Sequence, residues 1–115
     1  MDIVVTGGRG QSGRWIVERL AADHAVTCLD RDHPGADGHP AVDYRALDLT
    51  DPGGVFDVLT EVDPDAVVHW AAIPVAGRHA DVDLYENNTL AAHNVLTVAG
   101  RVGARVVQAS SDGAY

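Results

Sequence analysis

A parallel β-sheet wrapped by helices on both faces is the fold class this chain predicts, and three observations carry that prediction. Short apolar runs alternate with segments of helical period along the whole sequence, which is the βαβ rhythm. Each connection between consecutive apolar runs is long enough for a crossover, which parallel pairing requires. Four of the seven residues from Gly7 to Gly13 are glycine, and they sit between the first apolar run and the first helical segment. A chain of 115 residues is at most one small domain, and a 46% hydrophobic composition is enough to bury a core without metal or disulfide staples.

The run Asp2 to Thr6 reads as a buried first strand. Gln11 to Ala22 follows as a helix, with Gly13, Ile16, Val17 and Leu20 spaced along one face. Ala25 to Asp30 is the second strand, and a loop dense in Gly, Pro and Asp leads to a short third strand over Tyr44 to Leu49. The second helix carries its own start signal: Thr50 or Asp51 as N-cap and Pro52 in the first turn, ahead of an apolar stripe of Val55, Val58, Leu59 and Val62. Asp65 to Ala72 is the fourth strand. A long helix is predicted from about Asp81 to Val102, with Leu84, Ala91, Ala92, Val95, Ala99 and Val102 on one face and Gly103 as its stop. Ala104 to Ser111 is the fifth strand. The expected strand order is 3-2-1-4-5, doubly wound and C-terminally incomplete, with ligands binding at the carboxyl ends of the strands.

The charge balance narrows the function classes. Seventeen acidic residues against eight basic ones give a net charge of -9, 14 of the acids are aspartate, and lysine is absent. Such a surface repels phosphate backbones and anionic membranes, so nucleic-acid and membrane binding are not expected. The composition resembles that of proteins from salt-loving archaea; GC-rich coding of an ordinary acidic enzyme is the competing explanation, and it accounts less well for the aspartate excess. Cys28, the single cysteine, lies inside an apolar run and reads as an inert strand residue. With no basic-apolar leader and no run near the ~20 residues of a membrane span, a reducing, cytoplasmic setting is expected. His24, His33, His39, His69, His79 and His93 show no paired ligand spacing, so no metal site is expected. Trp15 and the aliphatics of the long helix read as packing residues. Asp32, Asp37, Asp81, Asp83 and Glu86 read as solvated charge.

The glycines carry chemistry. Gly7, Gly10 and Gly13 are spaced Gly-x-x-Gly-x-x-Gly after a strand and opening a helix. In that context they provide a tight turn, close backbone approach to a pyrophosphate, and close helix packing, with the helix N-terminus facing the anion. Glycine clusters alone also mark ordinary turns. The second strand ends in Asp30, 17 residues beyond Gly13, where a carboxylate can accept hydrogen bonds from the adenosine ribose.

With these residues in place, the chain resembles the N-terminal part of the extended short-chain dehydrogenase/reductases, the NAD-dependent epimerase/dehydratase family. The family's TGxxGxxG is matched by Thr6, Gly7, Gly10 and Gly13, and its Asp-apolar pair by Asp48 and Leu49. The strand end HxAA is matched by His69, Trp70, Ala71 and Ala72, and the helix NxxGTxNVL by NTLAAHNVL, which keeps Asn88 and Asn94. RVVQASSDGAY matches the family's fifth strand. Ala91 and Ala92 depart from the usual Gly-Thr pair, and Ser12 stands where an apolar residue is common.

The resemblance implies a Rossmann-like domain over residues 1–115 that binds NAD, with NADP the lesser alternative. The implied cofactor-binding residues are Gly7, Gly10, Gln11, Ser12, Gly13, Asp30, Arg31, Asp48, Leu49, Trp70, Ala71, Ala72 and Asn88. Asp30 favours NAD, whereas Arg9 and Arg31 stand where a cation could pair with a 2′-phosphate. Asn88 is assigned near the nicotinamide side or as a helix-to-backbone bracket, and His69 is expected to pack. Ser111 aligns with the catalytic serine; Tyr115 resembles the structural tyrosine of the following turn and not the base. The family's Tyr-x-x-x-Lys pair is absent from these residues, so this portion is expected to bind cofactor weakly and to turn nothing over. The expected activity of a complete protein is epimerisation or dehydration of a nucleotide sugar or related sugar by hydride transfer. A sugar or uronate dehydrogenase and a non-catalytic dinucleotide-sensing module are the alternatives, and a homodimer through the long helix is expected of the complete protein.

Overall fold

The structure is a computed structural model, and it describes residues 1–71 and 81–109. Five strands form one fully parallel sheet: β1 (Asp2–Thr6), β2 (Ala25–Asp30), β3 (Val42–Ala46), β4 (Ala66–His69) and β5 (Arg105–Gln108), in the order β3-β2-β1-β4-β5. Helices α1 (Gly13–Ala21), α2 (Pro52–Val62) and α3 (Asp81–Val102) follow β1, β3 and β4, and a 3-10 turn at Gly35–Asp37 lies between β2 and β3. The predicted strand order is the one observed.

Alternation along β1 divides the core in two. Val4 faces α2 and α3, joining Leu29, Val55, Leu59, Val67, Ala91, Val95, Val98 and Ala99 in one buried layer. Ile3 and Val5 face the other way, meeting Val17 of α1 together with Val26 and Cys28 of β2. Complete burial of a single Val or Leu stabilises by about 1.5–3 kcal/mol, so each layer holds its helices firmly to the sheet. The helices end as their sequences dictate. Asp63 closes α2 in the left-handed region at φ 47, its N–H bonded to the Leu59 carbonyl at 2.9 Å, and Gly103 at φ 74 stops α3.

Several boundaries and faces differ from the sequence expectation. The third strand runs from Val42 to Ala46 because it pairs in register with β2, Val26 opposite Val42 through Asp30 opposite Ala46. Leu47 and Leu49, which had suggested a longer strand, are apolar because they pack on the α2–α3 layer. The first helix begins at Gly13 and not at Gln11, and β4 and β5 are shorter than expected. On α3 the buried face is Ala91, Asn94, Val95, Val98 and Ala99; Ala92 is half-buried, while Leu90 and Leu96 are exposed. Trp15 is 78% exposed and is not a packing residue among the described residues. It lies two positions from both Gly13 and Val17, the buried residues of α1, and so on the opposite side of that helix. Asp32, Asp37, Asp83 and Glu86 are exposed, as expected of solvated charge. Among the described residues no helix is long and apolar enough to cross a membrane.

Candidate functional site

The carboxyl ends of the strands gather most of the residues singled out from the sequence. After β1 the chain turns at Gly7, whose φ of 71 is open to glycine at little cost. A Cβ added there would lie 2.7 Å from the backbone of Ala71, so the turn touches the end of β4 backbone to backbone. Gly10 donates its N–H to the Gly7 carbonyl at 3.1 Å, and a Cβ on Gly13 would fall 2.1 Å from that same carbonyl oxygen. Glycine at position 13 therefore lets α1 start directly on top of the turn. Gly10, Gln11 and Ser12 are exposed at the rim, and Ser12 makes no side-chain cap bond. The first N–H groups of a helix lack intrahelical partners, which leaves this turn with donors suited to an anion.

Asp30, half-buried at the end of β2, lies against this turn. One of its carboxylate oxygens accepts the Arg9 N–H at 3.1 Å and the other the Arg31 N–H at 2.7 Å. Those bonds fix the carboxylate while leaving lone pairs for further donors. Arg31 reaches across to α3, where its guanidinium donates to the Asn87 side-chain oxygen; the Asn87 amide in turn donates to the Asn88 side-chain oxygen at 3.1 Å. Asn88 is half-buried on α3.

After β3, Asp48 folds back on its own loop. One carboxylate oxygen accepts the Thr50 N–H at 3.0 Å and the Thr50 hydroxyl at 2.8 Å. These two bonds, first the N–H and then the hydroxyl, hold its pKa below the ordinary carboxylate range, with a smaller contribution from the Arg31 charge. Leu49 points into the core, so it offers the site only its backbone, and its carbonyl accepts the buried Asn94 amide at 2.8 Å.

The end of β4 is wired to β1 through one hydroxyl. Thr6 is fully buried, and its Oγ1 accepts the Trp70 N–H at 3.0 Å and the Ala71 N–H at 3.1 Å while lying 2.8 Å from His69 Nδ1. A hydroxyl has two lone pairs and one proton. With both lone pairs taken, the proton goes to His69 Nδ1, which makes His69 a neutral imidazole carrying its own proton on Nε2. Burial pushes its pKa in the same direction, below the usual value. His69 packs, as expected, and also locks this junction.

The structure thus places Gly7, Gly10, Gln11, Ser12, Gly13, Asp30, Arg31, Asp48, Trp70 and Ala71 at or just beyond the carboxyl ends of the strands, links Asn88 on α3 to Arg31 through Asn87, and buries the Leu49 side chain in the core. Ala72, Ser111 and Tyr115 lie outside the described residues. Asn87 was not singled out from the sequence, and Thr6 was matched only as the first residue of TGxxGxxG, with no role for its hydroxyl. Their partners are 56 and 63 to 65 residues away, and no local pattern announces such pairings. Among the described residues no group of three or more His, Cys, Asp or Glu could hold a metal ion.

Comparison with known proteins agrees with this geometry. The chain is 33% identical over 113 residues to the D-erythronate dehydrogenase of Haemophilus influenzae, covering 92% of this chain and 36% of that protein. It is 39% identical over 99 residues to an L-arabinose 1-dehydrogenase (NAD(P)(+)) of Haloferax volcanii, covering 84% of this chain and 35% of that one. The uronate dehydrogenase of Agrobacterium tumefaciens, in a Y136A mutant complexed with NAD, superposes with a TM-score of 0.81 at 28% identity, covering 96% of this chain and 40% of that structure. The chain therefore spans about a third of the length of the curated relatives it matches. The model of the NAD dependent epimerase/dehydratase family matches residues 3–115, and the chain belongs to that family.

Proposed function

We propose that this chain forms the NAD-binding portion of an enzyme that acts on a sugar or nucleotide sugar by hydride transfer. The observation that carries the reading is the Asp30 carboxylate hydrogen-bonded to the backbone of the glycine turn at 3.1 Å. It sets a ribose acceptor and a diphosphate cradle side by side. The residues fit the cofactor: the turn is bare of side chains where Gly7 and Gly13 approach backbone, and the rim offers N–H donors at the start of α1. In this reading Gly10, Gln11, Ser12 and Gly13 hold the diphosphate and Asp30 takes the adenosine ribose. Asp48 and the Leu49 backbone border the adenine, and Trp70, Ala71 and Asn88 line the remaining length, with Ala72 assigned to the cofactor by its family match alone. When bound, the nicotinamide supplies hydride exchange with a carbinol carbon of the substrate. Ser111 orients the substrate oxygen, by its match to the family serine. Asp30 favours NAD over NADP through repulsion of a 2′-phosphate.

Among activities, a sugar or sugar-acid dehydrogenase is supported by the relatives, which include dehydrogenases of D-erythronate, L-arabinose and uronate. Exposed Phe56 on α2 with Leu90 and Leu96 on α3 support a homodimer through this helix pair, which sedimentation would register. The deciding experiment is calorimetric titration of the full-length protein with NAD. Asp30→Ala is expected to weaken binding by about 10-fold to 100-fold, the value of two charge-assisted hydrogen bonds. Unchanged affinity in that variant would overturn the reading. Turnover with aldoses, uronates and nucleotide sugars then separates a dehydrogenase from an epimerase, and from a sensing module that turns over none of them.

A further inference from the structure

Arg31 follows Asp30 directly, and a cation at that place in a dinucleotide site can neutralise a 2′-phosphate that the aspartate alone would repel. An exposed arginine has ample rotamer freedom to swing toward such a group. Here it is occupied elsewhere. Its guanidinium donates to Asn87 on α3, 56 residues along the chain. The Asn87 amide is held in turn, its nitrogen end donating to Asn88 at 3.1 Å, so that its oxygen end stays turned to Arg31. The negative charge of Asp48 lies within electrostatic reach of Arg31 and gives the guanidinium a second partner on the protein. Asp30 itself is fixed by two backbone N–H groups, at 3.1 Å and 2.7 Å, and does not swing out to make room.

Resting on the dinucleotide reading above, we propose that Asn87 is a specificity-determining residue that acts through Arg31. By keeping the guanidinium on α3, it withholds from a 2′-phosphate the cation next to Asp30, and so sets the preference for NAD over NADP. Asn87 touches neither the ribose nor the phosphate in this scheme; it is a positioning residue whose partner carries the charge.

The test is a double-mutant cycle read by calorimetric titration of the full-length protein with NAD and with NADP separately, with circular dichroism checking each fold. Asn87→Ala removes the acceptor and frees Arg31. The ratio of NADP to NAD affinity is expected to move about tenfold toward NADP, with NAD affinity itself nearly unchanged. Asn87→Asp holds the guanidinium by charge and is expected to move the ratio the other way. In an Arg31→Met background, Asn87→Ala is expected to leave the ratio where it was. A ratio within about twofold of wild type in Asn87→Ala overturns the proposal, as does a shift that persists without Arg31. If the wild type binds neither dinucleotide, the functional reading falls and this inference with it. If it binds NAD in an Asp30-dependent way and the ratio ignores Asn87, only the inference falls.

Discussion

Replacing Thr6 by Val removes one oxygen from the centre of the molecule at nearly constant shape, and the cost can be worked out group by group. That oxygen serves three partners: the N–H groups of Trp70 and Ala71 at 3.0 and 3.1 Å, and His69 Nδ1 at 2.8 Å. Trp70 N–H also meets the Thr6 carbonyl at 3.2 Å, so it keeps an acceptor in the variant. Ala71 N–H loses its acceptor and His69 Nδ1 its donor, and each buried polar group left without a partner costs about 1–3 kcal/mol. His69 is only 4% exposed and sits at the upper part of that range, whereas Ala71 is half-buried and sits at the lower. The expected destabilisation is about 3 kcal/mol, a large part of the roughly 6–17 kcal/mol available to a domain of this length. Thr6→Ser retains the oxygen and loses a methyl group, for about 1 kcal/mol. Urea denaturation of the two variants gives the comparison directly. If Thr6→Val were no less stable than Thr6→Ser, the hydroxyl would not be the junction described above.

The same junction makes stability depend on pH. Burial lowers the pKa of His69, so between its folded value and the unfolded value of about 6.5 the unfolded chain binds more protons. Stability is therefore full above about pH 6.5 and falls as the pH drops below it, with His69→Gln flattening that slope in urea midpoints; an unaltered slope would refute the assignment. Burial also pushes the Cys28 thiol up to about 11, so at neutral pH an aromatic disulfide reagent should label it only in urea, and rapid labelling of the folded protein would contradict its place in the core. Finally, a net charge of -9 without lysine predicts a denaturation midpoint that rises between about 0.1 M and about 2 M potassium chloride as repulsion is screened. Equal stability in both would sink the salt-adapted reading of the composition.

How much of this was legible in the sequence follows from the range of the interactions involved. β1, β2 and α3 could be bounded from their own residues because a buried run and a helical stripe are local signals. β3 could not, since its limits come from register with β2, and the leucines beyond it are apolar for the sake of a helix layer. Trp15 reads as a packing residue, but its phase on α1, two positions from the buried Gly13 and Val17, puts it in solvent. In the site, the glycines and Asp30 stood out because backbone geometry and a strand end dictate them. Asn87 and the role of the Thr6 hydroxyl, though Thr6 itself was matched, stayed hidden because a side chain that matters through a partner more than fifty residues away has no spacing rule.

The cradle at Gly7 and Gly13 is built from main chain pressed on main chain, strand end against helix start against the neighbouring strand end. Nothing in it can rotate to a new rotamer, so little ordering entropy remains to be lost when an anion arrives. The same stiffness leaves little room for substitution: a side chain at Gly7 meets the backbone beyond β4, and one at Gly13 meets the turn itself. In the proposed dinucleotide reading, changes in ligand preference are therefore confined to the rim, at Asp30, Arg31 and Asn87, above a floor that main chain alone defines.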